Sequence, residues 1–301
     1  MEATAVREAK GAGTRAGRVQ NLHPCFGAAG RRARMHLPVC PACNLECGFC
    51  VRSTNGGEDR PGVSSFVLPA NEVLPYVRAA RGLCPELSVV GVAGPGDALV
   101  GDGMFRAFRA IGGAYPDLLR CLSTNGLLLD RRADELIALG IDTLTVTVNA
   151  IDPGILAQIV PALRYDGRRI EGEEGARILI RNQLAGIRRM HAAGVTIKVN
   201  TVLIPDINGA HIEDTARAVS EAGADMYNII PLIPQHLFSG HPEPTCAEIE
   251  DARQKASRYA DVFRHCRHCR ADAVGIPGLS NRSAEVWGDL AGRADEVFSH
   301  G

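Results

Sequence analysis

Cys43, Cys47 and Cys50 fall within ten residues, in the stretch Pro41-Ala-Cys-Asn-Leu-Glu-Cys-Gly-Phe-Cys50. Thiols at this Cys-x3-Cys-x2-Cys spacing can ligate three irons of a cubane 4Fe–4S cluster and leave the fourth iron without a protein ligand, open to chemistry. A structural zinc site would need a fourth ligand close by. The nearest candidates, His36 and Cys40, stand on the approach to the triad rather than in a second Cys-x2-Cys. A second motif, Arg264-His-Cys-Arg-His-Cys-Arg-Ala-Asp272, contains Cys266-x2-Cys269 flanked by His265 and His268. Alone, such a pair serves as half a zinc knuckle, a redox couple or a cluster clamp. Arg267 and Arg270 beside it are expected to stabilise anionic thiolates or a sulfide-rich cluster.

Other polar residues have two readings each. A lone histidine in a strand, such as His36, is by default a hydrogen-bonded core or rim residue, yet its place seven residues before Cys43 leaves metal ligation open. Gly94-Pro95-Gly96-Asp97 is an ordinary strand-to-loop turn by its dipeptides, or a place where exposed backbone groups contact a ligand. Asn149 and Asn200 either satisfy strand-end backbone groups or face that ligand. Cys84 and Cys246 read as passive small residues.

These residues have to be positioned by the elements between them. Apolar runs at 33–39, 87–93, 119–124, 143–148, 195–204 and 225–233 have strand character. Between them, residues 69–81, 103–113, 131–139, 174–193 and 209–222 have helical spacing. Gly194 stands where a helix C-cap is required. Strands alternating with helices imply a parallel sheet with right-handed crossovers, and six such units predict an α/β fold, a partial (β/α)6 barrel. Ligands bind such barrels at the C-terminal strand ends, which is where the cysteine loop, Gly94–Asp97, Thr124-Asn125 and Asn149 fall, with Asn200 inside the fifth strand. Residues 234–247 read as a loop and 247–263 as a helix. Residues 1–22 read as an unpacked tail, 23–283 as the core and 284–301 as a C-terminal tail.

Bulk properties narrow the class. A chain of 301 residues with 46% hydrophobic content can bury one substantial core. Its formal net charge of −1 gives no electrostatic reason to expect nucleic acid. No apolar run reaches the roughly 18 residues of a membrane span, so the expectation is a cytoplasmic protein with its ten cysteines kept as thiols.

Taken together, several stretches resemble one family: NifB, the radical S-adenosylmethionine (SAM) maturase of the nitrogenase iron–molybdenum cofactor. They are His23-Pro-Cys25, Ala33-Arg-Met-His36, the triad loop with Phe49 before its last cysteine, Arg60-Pro-Gly-Val63, Ala93-Gly-Pro-Gly-Asp97 and Cys121-Leu-Ser-Thr-Asn-Gly126. Further on come Thr145-Val-Thr-Val-Asn149, Val202-Leu-Ile-Pro205, Asn228-Ile-Ile-Pro-Leu-Ile233 and the Cys266 motif through Gly275. The resemblance runs from about residue 22 to 283 and is to the short form without a fused C-terminal carrier domain.

The resemblance implies a radical SAM barrel with cysteine-bearing N- and C-terminal extensions. In it, Cys43, Cys47 and Cys50 hold the SAM-binding 4Fe–4S cluster, and Gly94, Pro95, Gly96, Asp97, Thr124, Asn125, Asn149 and Asn200 surround SAM. It also implies two further 4Fe–4S precursor clusters, one on His36, Cys266 and Cys269, the other on Cys25, Cys121 and a cysteine shortly after the triad. The implied reaction fuses the pair and inserts a carbide from the SAM methyl group, giving an eight-iron precursor. The implied partners are iron–sulfur cluster donor proteins, an electron donor and a carrier or scaffold protein. This chain departs from the family at one point: residues 51–60 contain no cysteine. Cys40 is the candidate substitute, and the missing thiolate keeps open a radical SAM enzyme with a non-cluster substrate, or a non-catalytic iron–sulfur scaffold.

Overall fold

The structure, a computed structural model, describes residues 14–292 apart from Arg52 and His268. Helix α1 (Arg15–Leu22) precedes strand β1 (Ala33–His36), and the cysteine loop that follows carries the short β2 (Leu45–Glu46). Helix α2 (Val73–Leu83) leads to β3 (Leu87–Val92), α3 (Gly103–Ala114) to β4 (Leu119–Thr124), and α4 (Leu129–Leu139) to β5 (Thr143–Thr147). Next come α5 (Pro153–Ile159), the hairpin of β6 (Ala162–Tyr165) and β7 (Arg168–Glu171), and the long α6 (Gly172–Ala192). Strand β8 (Thr196–Leu203) is joined through α7 (Pro205–Asn208) and α8 (Ile212–Glu221) to β9 (Met226–Pro231). Helix α9 (Cys246–Ala256), β10 (Asp261–Val262), β11 (Val274–Gly275) and α10 (Ser283–Trp287) follow.

Strands β1, β3, β4, β5, β8 and β9 lie side by side and parallel. Strand β10 extends this sheet in parallel beyond β9, and β11 pairs antiparallel with β1 at the other edge. The result is the expected partial (β/α)6 barrel, open between those two edges. Alternation along the strands divides side chains between two environments. Ala33, Met35, Leu122, Leu144, Val146, Ile197 and Val199 join the core under the helices, while Arg34, His36, Cys121, Ser123, Thr145, Thr147, Lys198 and Asn200 line the lumen. Gly194 ends α6 as expected, in the left-handed region at φ 74° with its N–H bonded to the His191 carbonyl.

The described parts of the expected tails, residues 15–22 and 284–287, are helical and packed. Residues 1–13 and 293–301 lie outside the described residues, but α1 is a helix capped by Thr14, whose hydroxyl accepts from Gly17 N–H. Its Val19 packs with Phe26, Val89 and Leu119, and Ser88 Oγ donates to the Leu22 carbonyl at 2.6 Å. This segment closes the N-terminal end of the barrel. At the other terminus Trp287 is buried against Phe66 and Tyr76, and its indole N–H donates to the Asp272 carbonyl. The helix expected over 247–263 ends at Ala256, because 261–262 pair with β9 instead. Among the described residues, no helix is long and apolar enough to cross a membrane.

Candidate active site

The cysteine loop leaves the C-terminal end of β1 and is pinned by its backbone. Gly96 N–H donates to the Cys40 carbonyl and Asp97 N–H to that of Ala42, at 2.6 and 2.8 Å. Gly48 N–H donates to the Ile159 carbonyl, and β2 pairs with β6. A Cβ on Gly96 would stand 2.1 Å from the Ala42 carbonyl oxygen, so only glycine lets the loop lie this close to the turn after β3. Cys43, Cys47 and Cys50 are half-buried on this loop, and Asn125 Nδ2 approaches Cys43 Sγ at 3.6 Å while donating to Asn44 Oδ1 at 2.8 Å. A thiol set on a rigid loop, beside an amide donor and against the apolar Phe49, fits an iron–sulfur cluster by donor chemistry and by the space left at the strand ends.

The turn after β3 is bonded to this loop and to the turn after β4. Asp97 is buried, and its carboxylate accepts from Thr124 Oγ1, Asn125 N–H and Leu99 N–H. Asn149 is likewise buried, its Oδ1 accepting from Val202 N–H, away from the cavity wall. Asn200 does line the cavity, with its Oδ1 accepting from Asn228 Nδ2.

One cavity of about 580 Å³ runs down the lumen. Cys50 and Phe49 line it beside the triad loop, and Cys25 lines it from the closed end. Between them stand His36, Cys121, Cys266 and Cys269, so the remaining sequence-derived ligands share a single space. His268 lies outside the described residues. Among the described residues no three His, Cys, Asp or Glu side chains converge on a point that would suit a single metal ion. Gly91 separates His36 from Cys121: a Cβ there would stand 3.2 Å from the imidazole Cδ2 and 3.6 Å from the cysteine Cβ.

Protonation states follow from burial. His36 Nδ1 lies 2.9 Å from the Arg270 carbonyl, and as donor in that bond leaves Nε2 with its lone pair. Burial, with the charge of Arg34, pushes the imidazole down to about 4, so it stands neutral. Burial raises the Cys25 thiol and takes Cys121 to about 11, so both hold their protons as free thiols.

The structure removes Cys40 as the substitute thiolate. Its side chain is 2% exposed within the main core, its S–H points toward the Ala98 carbonyl, and burial pushes its pKa to about 12. Arg270 also differs from expectation. Its guanidinium binds Asp272 through Nε and Nη2, and reaches Ser65 Oγ and the carbonyls of Asn55 and Glu58. It ties the 55–65 loop to the Cys266 segment rather than facing the thiols. Sequence reasoning missed Lys198, whose signal was a lone lysine alternating with Asn200 in an apolar strand. The cavity wall carries Arg34, Arg60, Lys198 and Arg267 and no carboxylate among the described residues, which suits an anionic occupant.

The Radical SAM superfamily model matches residues 37–219. The FeMo cofactor biosynthesis protein NifB of Methanocaldococcus jannaschii is 44% identical over 262 residues, 86% of this chain and 87% of its own length. Its counterpart in Klebsiella pneumoniae is 45% identical over 266 residues, 85% of this chain and 57% of its own length. Among solved structures, Streptococcus suis SuiB bound to S-adenosylmethionine has a TM-score of 0.56 at 14% identity, over 76% of this chain and 49% of SuiB. That likeness shows the fold alone. The triad loop at the strand ends, the second cysteine pair in the same cavity and the length of the sequence match agree that the chain belongs to the NifB family of the radical SAM superfamily.

Proposed function

We propose that the protein is a radical SAM enzyme of nitrogenase cofactor biosynthesis whose substrate is a pair of 4Fe–4S clusters, fused with insertion of a carbide from the SAM methyl group into an eight-iron precursor. The observation that carries this reading is a single carboxylate-free cavity holding Cys50 together with two further ligand sets, His36 with Cys266 and Cys269, and Cys25 with Cys121. When bound, the triad cluster and SAM supply reductive cleavage to a 5′-deoxyadenosyl radical.

The chain's own residues bind, orient and release. Cys43, Cys47 and Cys50 would hold the triad cluster, with Asn125 donating toward Cys43. His36, oriented through Nδ1 by the Arg270 carbonyl, offers a neutral nitrogen ligand. Such a ligand leaves more readily than a thiolate, as a product that must be handed on requires. Partners on this reading are iron–sulfur cluster donor proteins, an electron donor and a carrier protein that accepts the product, in a reducing cytoplasm suited to ten cysteines without a disulfide.

Anaerobic reconstitution with iron, sulfide, SAM and a reductant is expected to yield both S-adenosylhomocysteine and 5′-deoxyadenosine. Formation of 5′-deoxyadenosine alone would refute the methyl-transfer half. His36→Ala is expected to lose or rearrange one precursor cluster, read by iron content and spectrum, with the triad cluster intact. Unchanged iron and spectrum would return His36 to an ordinary lumen residue.

The absent cysteine in 51–60 and the burial of Cys40 favour a second reading, a radical SAM enzyme with a non-cluster substrate. A fully reconstituted chain holding only about four irons would support it.

A further inference from the structure

Lys198 projects from the middle of β8 into the lumen and is 7% exposed. Its Nζ stands over two aromatic rings, 5.1 Å from the centroid of Phe26 and 4.9 Å from that of Phe263. Among the described residues it meets no carboxylate and no hydrogen-bond acceptor. The ammonium group opens on the cavity without a counter-charge, where two ring faces supply only part of what bulk water would give it. The cavity therefore contains a cation in want of an anion, and the thiols beside the Phe26 ring that Nζ stands over are Cys25 and Cys121.

The choice of side chain is informative. The chain has three lysines, Lys10, Lys198 and Lys255, and draws its other positive charge from arginine. Lysine offers a compact charge with three donors that can point in different directions, whereas the guanidinium fork matches planar oxyanions. A sulfide-rich cubane presents acceptors on several faces.

Resting on the function proposed above, we propose that Lys198 is the clamp that positions the second substrate cluster at Cys25 and Cys121, donating hydrogen bonds to its sulfides and balancing their charge. Two thiolates grip only two of the cluster's four irons, so contacts to sulfide carry more of the hold than they would with a third cysteine present. Phe26 and Phe263 keep Nζ aimed at the occupant.

The test compares Lys198→Met with the parent chain, both reconstituted anaerobically with iron and sulfide and then desalted. The variant is expected to hold about four irons fewer per chain while keeping the SAM-responsive electron paramagnetic resonance signal of the triad cluster. The cluster-free variant should melt no lower than the cluster-free parent, because the change removes a charge that has no carboxylate partner among the described residues and keeps an apolar stem of similar length. Should it fail to fold, Lys198→Gln, which also lacks the charge, is read the same way. Full iron content with an unchanged spectrum would overturn the proposal, as would iron loss accompanied by a lower melting temperature of the cluster-free protein. Cys25→Ala and Cys121→Ala under the same protocol separate the two levels. If they too keep all their iron, the two-cluster function itself fails; if they lose about four irons and Lys198→Met does not, only the clamp fails.

Discussion

Replacing Cys43, Cys47 and Cys50 together with alanine is expected to reduce 5′-deoxyadenosine formation to background and to remove about four irons per chain, while leaving the fold in place. The reason lies in how the loop is held. Its position depends on backbone bonds from Gly96, Asp97 and Gly48 and on the pairing of β2 with β6, none of which involves a thiol. The three side chains are half-buried, Cys50 lining the cavity and Cys43 and Cys47 at the edge of a small apolar cluster, so truncation leaves no large void. The measurement is product formation from SAM under a strong reductant, with circular dichroism as the control for folding. Retained 5′-deoxyadenosine would show that the open iron is held elsewhere.

Arg270→Ala should be the most destabilising of the changes considered. It leaves Asp272, whose side chain is 5% exposed, without its partner, and removing one member of a buried pair costs about 3–5 kcal/mol. The unfolding midpoint in denaturant should fall accordingly, and the Cys266 segment should lose its register with the 55–65 loop. Asp272 also receives Ser65 N–H at 2.7 Å. Burial works to raise its carboxyl, and the bonds from Arg270 and Ser65 outweigh it, holding the group below its ordinary 3.8. The pair's contribution is thus complete above that value and fades as pH falls through the lowered folded value. In Arg270→Ala burial acts without its main opponent, so acid destabilisation should begin at higher pH. A midpoint and acid limb equal to the parent's would mean that the segment is held by its other contacts, such as Trp287 with the Asp272 carbonyl.

The barrel was legible because its strands and helices carry local periodicity: each of the six parallel strands lies where an apolar run places it, and α3, α4, α6 and α8 fall within a few residues of their patterns. The hairpin β6–β7 was passed over, although Asp166-Gly167, both with positive φ, is a strong turn signal between two short runs. Helix α1 gave little warning, since Gly17 and Val19 are the residues it buries and, apart from Leu22, the rest of its sequence is polar or small. Its stability comes from the barrel end it closes. Cys40 and Arg270 were misjudged for a related reason: their roles depend on which neighbours long-range packing supplies.

The spacing of Cys43, Cys47 and Cys50 was legible in the sequence alone, because the fit of one loop to a cubane is a matter of spacing along the chain, and the strand before that loop is a local pattern too. What surrounds the triad was decided by tertiary structure. Cys25, His36, Cys121, Lys198, Cys266 and Cys269 come from five separate segments, and they face one cavity only because strand alternation turns some of them inward, while α1 packs on the barrel beside Cys25 and the Arg270–Asp272 pair fixes the segment after Cys266 and Cys269. Spacing along a chain fixes neighbours a few residues apart; which distant side chains meet depends on packing that only the folded molecule contains.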